Sequence, residues 1–191
     1  MTKRLEQMNL HELGKLFPII IAEHNPAWKK LYESERTEIE NVVGKENITR
    51  ISHYGSTAVP GLAAKPTIDI LLEIAYEADI NNLISKVKGM GYLYTPQPNN
   101  PAPHMMFMKG YTPDGFEGQA FHLHVRYSGD WDELYFRDYL LLNPEAAKEY
   151  EIVKRKLKDI FENDREAYTQ GKTEFIRIIT QQAREKLGQK Y

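Results

Sequence analysis

The pair Gly55-Ser56 and the carboxylate of Asp69 are the first residues of this chain whose types and spacing can do chemistry. Gly55 has no Cβ, so its backbone can turn sharply and approach a ligand closely. Ser56 then offers a hydroxyl and a backbone N–H to a phosphate. Asp69 stands in an almost continuously apolar run, residues 67–75, which is typical of a strand buried on both faces. Because a buried carboxylate needs a partner or a metal, Asp69 is the first candidate for catalysis and metal binding.

Two histidines, His122 and His124, form the second group. Side chains two residues apart on a strand project from the same face, so both imidazoles point one way. Two histidines and one carboxylate are a recognised metal-ligand set, which Asp69 completes if the two strands are neighbours. The same histidines could instead bind a phosphate or act as general acid and base. They could also be structural residues that are hydrogen-bonded within the sheet.

Basic side chains form the third group. Lys65 precedes the Asp69 strand and can neutralise a phosphate as a point charge. Pairing with Asp69, or plain exposure to solvent, is an equal alternative for this lysine. Arg126 shares the face of His124 by the same period of two. The basic run at 154–158 has acidic neighbours within one or two helical turns, so we interpret it as a solvated helix face rather than a nucleic-acid contact.

Hydrophobic periodicity and turn signals predict the elements that must position these residues. We expect strands at 19–22, directly before Gly55, at 67–75 and at 92–94, and a hairpin of 104–109 with 119–127 around the turn at 113–115. Helices are predicted from Asn25-Pro26 to Gly44 and from Asp79 to Gly89. The Pro-rich segment 96–103 is long enough to be a lid over a site.

The chain is helical by pattern from residue 130 onward, with helices predicted at 130–142, 145–168 and 173–187. The apolar stripe of the middle helix is Ala146, Tyr150, Val153, Leu157 and Ile160. Strands first and helices afterwards predict the α+β class. We expect a single domain over 1–191, with a mixed-sheet core at 15–128 and C-terminal helices at 129–191 packed on that core.

Composition excludes several classes of protein. There is no cysteine, which rules out disulfides and thiolate sites. The net charge of −2 provides no general attraction for nucleic acid, so a nucleic-acid partner is not expected. No segment resembles a signal peptide or reaches membrane-spanning length, so we expect a cytoplasmic protein with no membrane partner. The sequence is compatible with a homodimer.

Several motifs together resemble the GrpB family, within the nucleotidyltransferase-fold superfamily. The matching pieces are NPAW at 25–28, HYGSTAVPGLAAKPTIDI at 53–70, FHLHV at 121–125, FRDYLLLNPEAAKEYEIVKRKL at 136–157 and YTQGKTEFI at 168–176. The resemblance implies a small mixed sheet with flanking helices and a Gly-Ser turn that holds nucleotide phosphates. It also implies a divalent metal, Mg²⁺ or Mn²⁺, on carboxylates of the following strand.

The chain departs from the superfamily pattern at the second carboxylate of that strand. Asp69 matches the first position, but Leu71 occupies the second and cannot bind a metal. Glu73 has the correct face parity but lies one pleat further on, about 6–7 Å away at the usual strand rise. His122 and His124 are the residues that could complete an altered metal site.

Three functions remain open on these grounds. The first is metal-dependent nucleotidyl or phosphoryl transfer to a small molecule, with Gly55, Ser56 and Lys65 holding phosphates. The second is a non-catalytic module, which the leucine at position 71 favours. It would bind a nucleotide or coenzyme-like molecule, or a protein partner through the C-terminal helices. The third is a hydrolase centred on the two histidines.

Overall fold

The molecule is built on one mixed β-sheet, and α-helices pack against both faces of this sheet. The computed structural model describes residues 3–100 and 103–191. Its five strands are β1 (Ile48–His53), β2 (Thr67–Ile74), β3 (Leu93–Pro96), β4 (Met105–Thr112) and β5 (Gly115–Tyr127). Its α-helices are α1 (Leu10–Leu16), α2 (Ala27–Val43), α3 (Ile80–Gly89), α4 (Asp132–Leu142), α5 (Pro144–Phe161), α6 (Arg165–Gly171) and α7 (Thr173–Leu187).

The strands form one mixed sheet in the order β1-β2-β5-β4-β3. β2 and β5 run parallel, and the other neighbours are antiparallel. α3, β3 and β4 lie between β2 and β5 in the chain, so this central pairing is non-local. It sets Asp69 opposite His122 and Leu71 opposite His124. The expected mixed α+β class with a mixed sheet is confirmed.

The even-numbered side chains of β2 and the odd-numbered ones of β5 point to one face of the sheet. There they join the apolar residues of α2 and α3 in the main core, whose members include Trp28, Ile39, Ile70, Leu83 and Leu123. The opposite face carries Asp69 and the two histidines. α4, α5 and α7 cover part of that face through a second apolar cluster of Val59, Leu62, Leu140, Ala147, Tyr150 and Ile179.

The predicted single helix at 145–168 is wrong, because the chain breaks between two helices. α5 ends at Phe161, and the Asp164 side chain then accepts a hydrogen bond from Ala167 N and caps α6. An aspartate at this position favours a new helix start over continuation. The break also packs on α1, since a Cβ on Gly14 would lie 1.9 Å from the Asn163 carbonyl oxygen.

Smaller differences concern the ends of elements. The strand expected at 19–22 is wrong, because the segment forms only one bridge, between Ala22 and Ala64. The hairpin is longer than expected, since β4 reaches Thr112 and β5 starts at Gly115, where φ is +114°. Of the predicted lid, Pro101 and Ala102 fall outside the described residues, and closure stays a prediction. None of the helices in the described part of the chain combines the length and apolar character needed to span a membrane.

Candidate functional site

Asp69 and His122 meet at the centre of the sheet because their strands are paired in register. The distance from Asp69 Oδ1 to His122 Nδ1 is 3.2 Å. His124 projects from the same face, and one donor atom from each of Asp69, His122 and His124 lies within 4.8 Å of the others. Among the residues that the structure describes, these three could hold one metal ion. Leu71 lies beside His124, so the imidazole from the neighbouring strand has a leucine rather than a carboxylate as its partner across the pair.

The glycine of the Gly-Ser turn makes room for the carboxylate. An added Cβ on Gly55 would lie 2.1 Å from Asp69 Oδ2 and 2.7 Å from Asp69 Cβ. The backbone of Gly55 is ordinary extended backbone, with φ −71° and ψ 178°. Gly55 is therefore needed for close approach to Asp69 rather than for a strained turn. Ser56 follows it and lines the same cavity.

A tyrosine from β4 holds the second ring nitrogen of His122. Tyr111 Oη lies 2.7 Å from His122 Nε2, and the two rings are stacked. Burial raises the pKa of Tyr111, so the phenol keeps its proton. A partner on the far nitrogen is the usual device that orients a metal-binding histidine. Sequence periodicity gave no signal for Tyr111.

Burial dominates the ionisation of the three candidate ligands. It lowers the pKa of His124 to about 4, and it lowers the pKa of His122 against the opposing effect of Asp69. Burial alone would raise the pKa of Asp69, but the hydrogen bond from His122 and the charge of Lys65 outweigh it and lower that pKa. At neutral pH the group thus comprises one carboxylate and two neutral imidazoles, the forms that bind metals.

A large cavity opens over this cluster, between the sheet and the C-terminal helices. Its volume is about 1250 Å³. Eight cationic side chains line it but only five carboxylates, although the whole chain has a net charge of −2. The cations are Lys65, Arg126, Arg137, Lys154, Arg165, Lys172, Arg177 and Arg184. The cavity is therefore suited to an anionic ligand.

The cations divide into a paired and an unpaired set. Carboxylates neutralise four arginines, as in the pairs of Arg126 with Glu133 at 2.7 Å and of Arg184 with Asp130 at 2.6 Å. Arg137 and Arg177 likewise pair with Asp138 and Glu174. The other four have no carboxylate within ion-pair distance in the described part of the chain: Lys65, Lys154, Arg165 and Lys172.

Lys154 contradicts our interpretation of the 154–158 run as solvated. Only 2% of Lys154 is exposed, and its ammonium donates to the Ala63 carbonyl oxygen. The buried face of α5 comprises Ala147, Tyr150 and Lys154, whereas Ile160 of the predicted stripe is 69% exposed. The helical spacing of Ala147, Tyr150 and Lys154 was the signal that could have found this lysine. The rest of the run behaves as expected, with Arg155 bonded to Glu151 and Lys158 to Glu162.

Glu73, a candidate metal ligand by parity, is engaged elsewhere. It is fully buried, forms a two-pronged ion pair with Arg50, and accepts from Gly129 N at 3.1 Å. The structure therefore does not bring it together with Asp69. Arg126 does line the cavity, and its Nε is one of two buried polar atoms there without a hydrogen-bond partner among the described residues. The other is Thr180 Oγ1, on α7.

Comparisons with known proteins agree on one family. The family described as "GrpB protein" matches residues 18–182. The glutamate-rich protein GrpB of Alkalihalophilus pseudofirmus is 32% identical over 83% of this chain and 91% of its own length. A crystal structure of the conserved protein GrpB from Enterococcus faecalis superposes with a TM-score of 0.76 at 30% identity, covering 88% of this chain and 99% of that one.

A further relative carries a catalytic name. Dephospho-CoA kinase of Mycolicibacterium paratuberculosis is 24% identical over 84% of this chain, and the match spans 44% of that protein. The similarity thus concerns less than half of the kinase.

Proposed function

The chain belongs to the GrpB family, and we propose that it is a metal-dependent enzyme with a nucleotidyltransferase-like fold. Its reaction is transfer of a nucleotidyl or phosphoryl group from a nucleotide or coenzyme-like donor to a small molecule. The observation that carries this proposal is the cluster of Asp69, His122 and His124 on the floor of a cavity lined by unpaired cations.

The donor set decides which ion fits best. Two imidazoles and one carboxylate suit Mn²⁺ and related transition metals, whereas Mg²⁺ prefers oxygen ligands. Of the two ions that the sequence suggested, Mn²⁺ is therefore the better fit. A divalent ion in this place supplies charge stabilisation to a reacting phosphoryl group. Tyr111 keeps the ring of His122 oriented toward Asp69 in either case.

The chain's own residues supply the binding of phosphates. Ser56 lines the cavity and follows Gly55, whose backbone approaches Asp69. Lys65 faces the same cavity without a carboxylate partner in the described part of the chain. In the transfer an acceptor oxygen bonds the phosphorus, the bond to the donor's leaving phosphate group breaks with its electron pair on the leaving oxygen, and the acceptor's proton passes to that leaving group or to solvent.

A binding module without catalysis is the second candidate. Leu71 takes the place of a carboxylate, and Glu73 is held by Arg50, so this strand supplies only Asp69 to the cluster. The similarity to part of a dephospho-CoA kinase is consistent with such a module for a coenzyme-like ligand. In this candidate the ligand binds without metal and leaves unchanged.

The test compares Asp69→Asn with Asp79→Asn. Asp79 caps α3 and does not line the cavity, and asparagine is an equally good cap, so the second variant is a matched control. Purified proteins are incubated with nucleoside triphosphates and coenzyme A precursors with Mn²⁺, Mg²⁺, Zn²⁺ or EDTA, and products are followed by phosphorus NMR. We expect metal-dependent product from the wild type and the control and none from Asp69→Asn. Equal turnover by Asp69→Asn would contradict the enzyme, and metal-independent binding without product would support the module.

A further inference from the structure

Four cations, which we call the inner cations, line the same cavity although their elements are far apart in the chain. Lys65 precedes β2, Lys154 lies on α5, Arg165 begins α6, and Lys172 joins α6 to α7. They are close enough to repel one another. Besides burial, Arg165 and Lys172 lower the pKa of Lys65, and Lys172 lowers the pKa of Lys154. The fold therefore concentrates positive charge here without a carboxylate in ion-pair distance among the described residues.

The partners that these cations do have are weak ones. Lys154 donates to the Ala63 carbonyl oxygen and lies 4.8 Å from the centre of the Tyr150 ring. Lys172 lies 4.5 Å from the centre of the Tyr168 ring, and Arg165 reaches the Phe17 carbonyl oxygen at 3.4 Å. Carbonyl oxygens and aromatic faces orient a cation but supply no negative counter-charge. Lys154 is buried and the other three are half-buried. A poorly solvated charge without a counter-ion is costly to keep, so a ligand that supplies the negative charge explains the arrangement.

The amount of charge indicates the class of ligand. Asp69 is the carboxylate that attracts both Lys65 and Lys172. Glu151, which attracts Lys154, is already paired with Arg155. Burial lowers the pKa of Lys65 and of Lys154 to about 7, so these two lysines are only partly protonated in the free protein. With all four protonated, as a bound polyanion keeps them, four cations less Asp69 leave a surplus of about three positive charges before any metal binds. A single phosphate carries about two negative charges at neutral pH, whereas pyrophosphate and triphosphate groups carry three to four. A condensed phosphate balances the inner cations, and a monophosphate or a carboxylate does not.

We propose that Lys65, Lys154, Arg165 and Lys172 form a binding site for a condensed phosphate, a pyrophosphate or the polyphosphate tail of a larger molecule. The site binds this group without the metal ion. It rests on the proposed function only for the identity of the molecule that carries the phosphates. The Gly55-Ser56 turn then lies beside the phosphate that is transferred, and cations of the C-terminal helices bind the remaining phosphates of the same ligand.

The test measures binding of inorganic pyrophosphate by titration calorimetry in EDTA, with the full chain. The variant is Lys154→Met, and the matched control is Lys156→Met on the exposed face of the same helix. We expect Lys154→Met to weaken pyrophosphate binding roughly ten-fold or more, because a charged hydrogen-bond donor is lost. Lys156→Met should bind like the wild type. If Lys154→Met does not fold, Lys172→Met at the helix junction replaces it with the same expectation.

Three further measurements separate the outcomes. Asp69→Asn should bind pyrophosphate in EDTA at least as tightly as the wild type, because a negative charge facing the cations is removed, so a failed metal site and a failed phosphate site give different results. Orthophosphate and sulfate should bind at least ten-fold more weakly than pyrophosphate, and equal binding would reveal an adventitious anion site. Equal affinity of Lys154→Met and Lys156→Met for pyrophosphate would overturn the proposal.

Discussion

Tyr111 illustrates how much of this site depends on a residue outside the predicted ligand set. Its hydroxyl oxygen lies at hydrogen-bonding distance, 2.7 Å, from His122 Nε2, while Asp69 contacts the other ring nitrogen. Partners of this kind orient a ligand and typically contribute 10- to 100-fold in metal affinity. Tyr111 is therefore a positioning residue for the proposed metal site.

We predict that Tyr111→Phe weakens Mn²⁺ binding by roughly ten-fold or more, because the ring of His122 loses its orienting partner. Calorimetric titration of Mn²⁺ measures the effect. Tyr139→Phe is the control, since the Tyr139 hydroxyl donates to Gln182 in an exposed position. A merely structural role of Tyr111 would lower the melting temperature and leave the Mn²⁺ affinity of the folded protein unchanged.

Gly55 carries a second prediction at the same scale. In Gly55→Ala the new methyl group would lie 2.1 Å from Asp69 Oδ2, so the turn and the carboxylate must move apart. We expect a loss of about 1–3 kcal/mol in the free energy of unfolding, as for overpacked sites, together with weaker Mn²⁺ binding. Chemical denaturation and titration measure the two effects.

Gly89→Ala is the matched control for this change. A Cβ on Gly89 meets nothing within 4 Å, and alanine is a better helix former than glycine. The control should be as stable as the wild type or more stable. Equal stability and equal Mn²⁺ affinity of both variants would show that the site tolerates a side chain at position 55.

At the scale of elements, strand pairing determines which features of the site could be predicted from the sequence. The period of two predicts that His122 and His124 share a face, and the structure agrees. It does not say which strand lies beside β5. That neighbour is β2, reached across α3, β3 and β4, and only this non-local pairing brings Asp69 to the histidines.

In helix α5 the charge pattern of the sequence predicted some side-chain environments correctly and one wrongly. Charge patterning describes Arg155 and Lys158 correctly, because both bond to acidic residues four positions away. It fails for Lys154, because what packs against each face of a helix depends on tertiary contacts. The carbonyl oxygen of Ala63, distant in the chain, receives this lysine. Glu73 is a similar case. The alternation of side chains along β2 places it on the face of Asp69, but it does not reveal that Glu73 forms an ion pair with Arg50.

The burial of Lys154 predicts a pH dependence of stability. Burial, followed by repulsion from Lys172 and from Arg155 and against the attraction of Glu151, lowers the pKa of Lys154 to about 7. In the unfolded chain the pKa is near 10.5, so the unfolded state binds the proton more tightly. The resulting destabilisation is complete below pH 7 and disappears as the pH rises toward 10.5.

We therefore expect Lys154→Met to be more stable than the wild type near pH 7, by several degrees in melting temperature. The advantage should shrink steadily as the pH rises from 7 to about 10, because the folded-state lysine is neutral there and only the unfolded chain still binds the proton. Thermal unfolding of the unliganded proteins across this range is the measurement, with Lys156→Met as the control. A constant difference between pH 7 and 10 would contradict the buried, weakly partnered lysine.

At the scale of the whole molecule, the sheet and the C-terminal helices have complementary roles. The sheet contributes the candidate metal ligands, and α5, α6 and the start of α7 contribute three of the four inner cations. A protein with a net charge of −2 thus holds one cationic cavity of about 1250 Å³ over a carboxylate and two histidines. Cations held in one cavity without carboxylate partners favour ligand binding at the expense of stability, as is common at functional sites.

The most direct measurement is anomalous diffraction from crystals soaked in Mn²⁺ together with a non-hydrolysable nucleoside triphosphate. Our account predicts an anomalous peak at bonding distance from Asp69, His122 and His124. It also predicts the polyphosphate between that peak and the inner cations Lys65, Lys154, Arg165 and Lys172. A cavity without a manganese peak, or a peak held by other residues, would contradict the account.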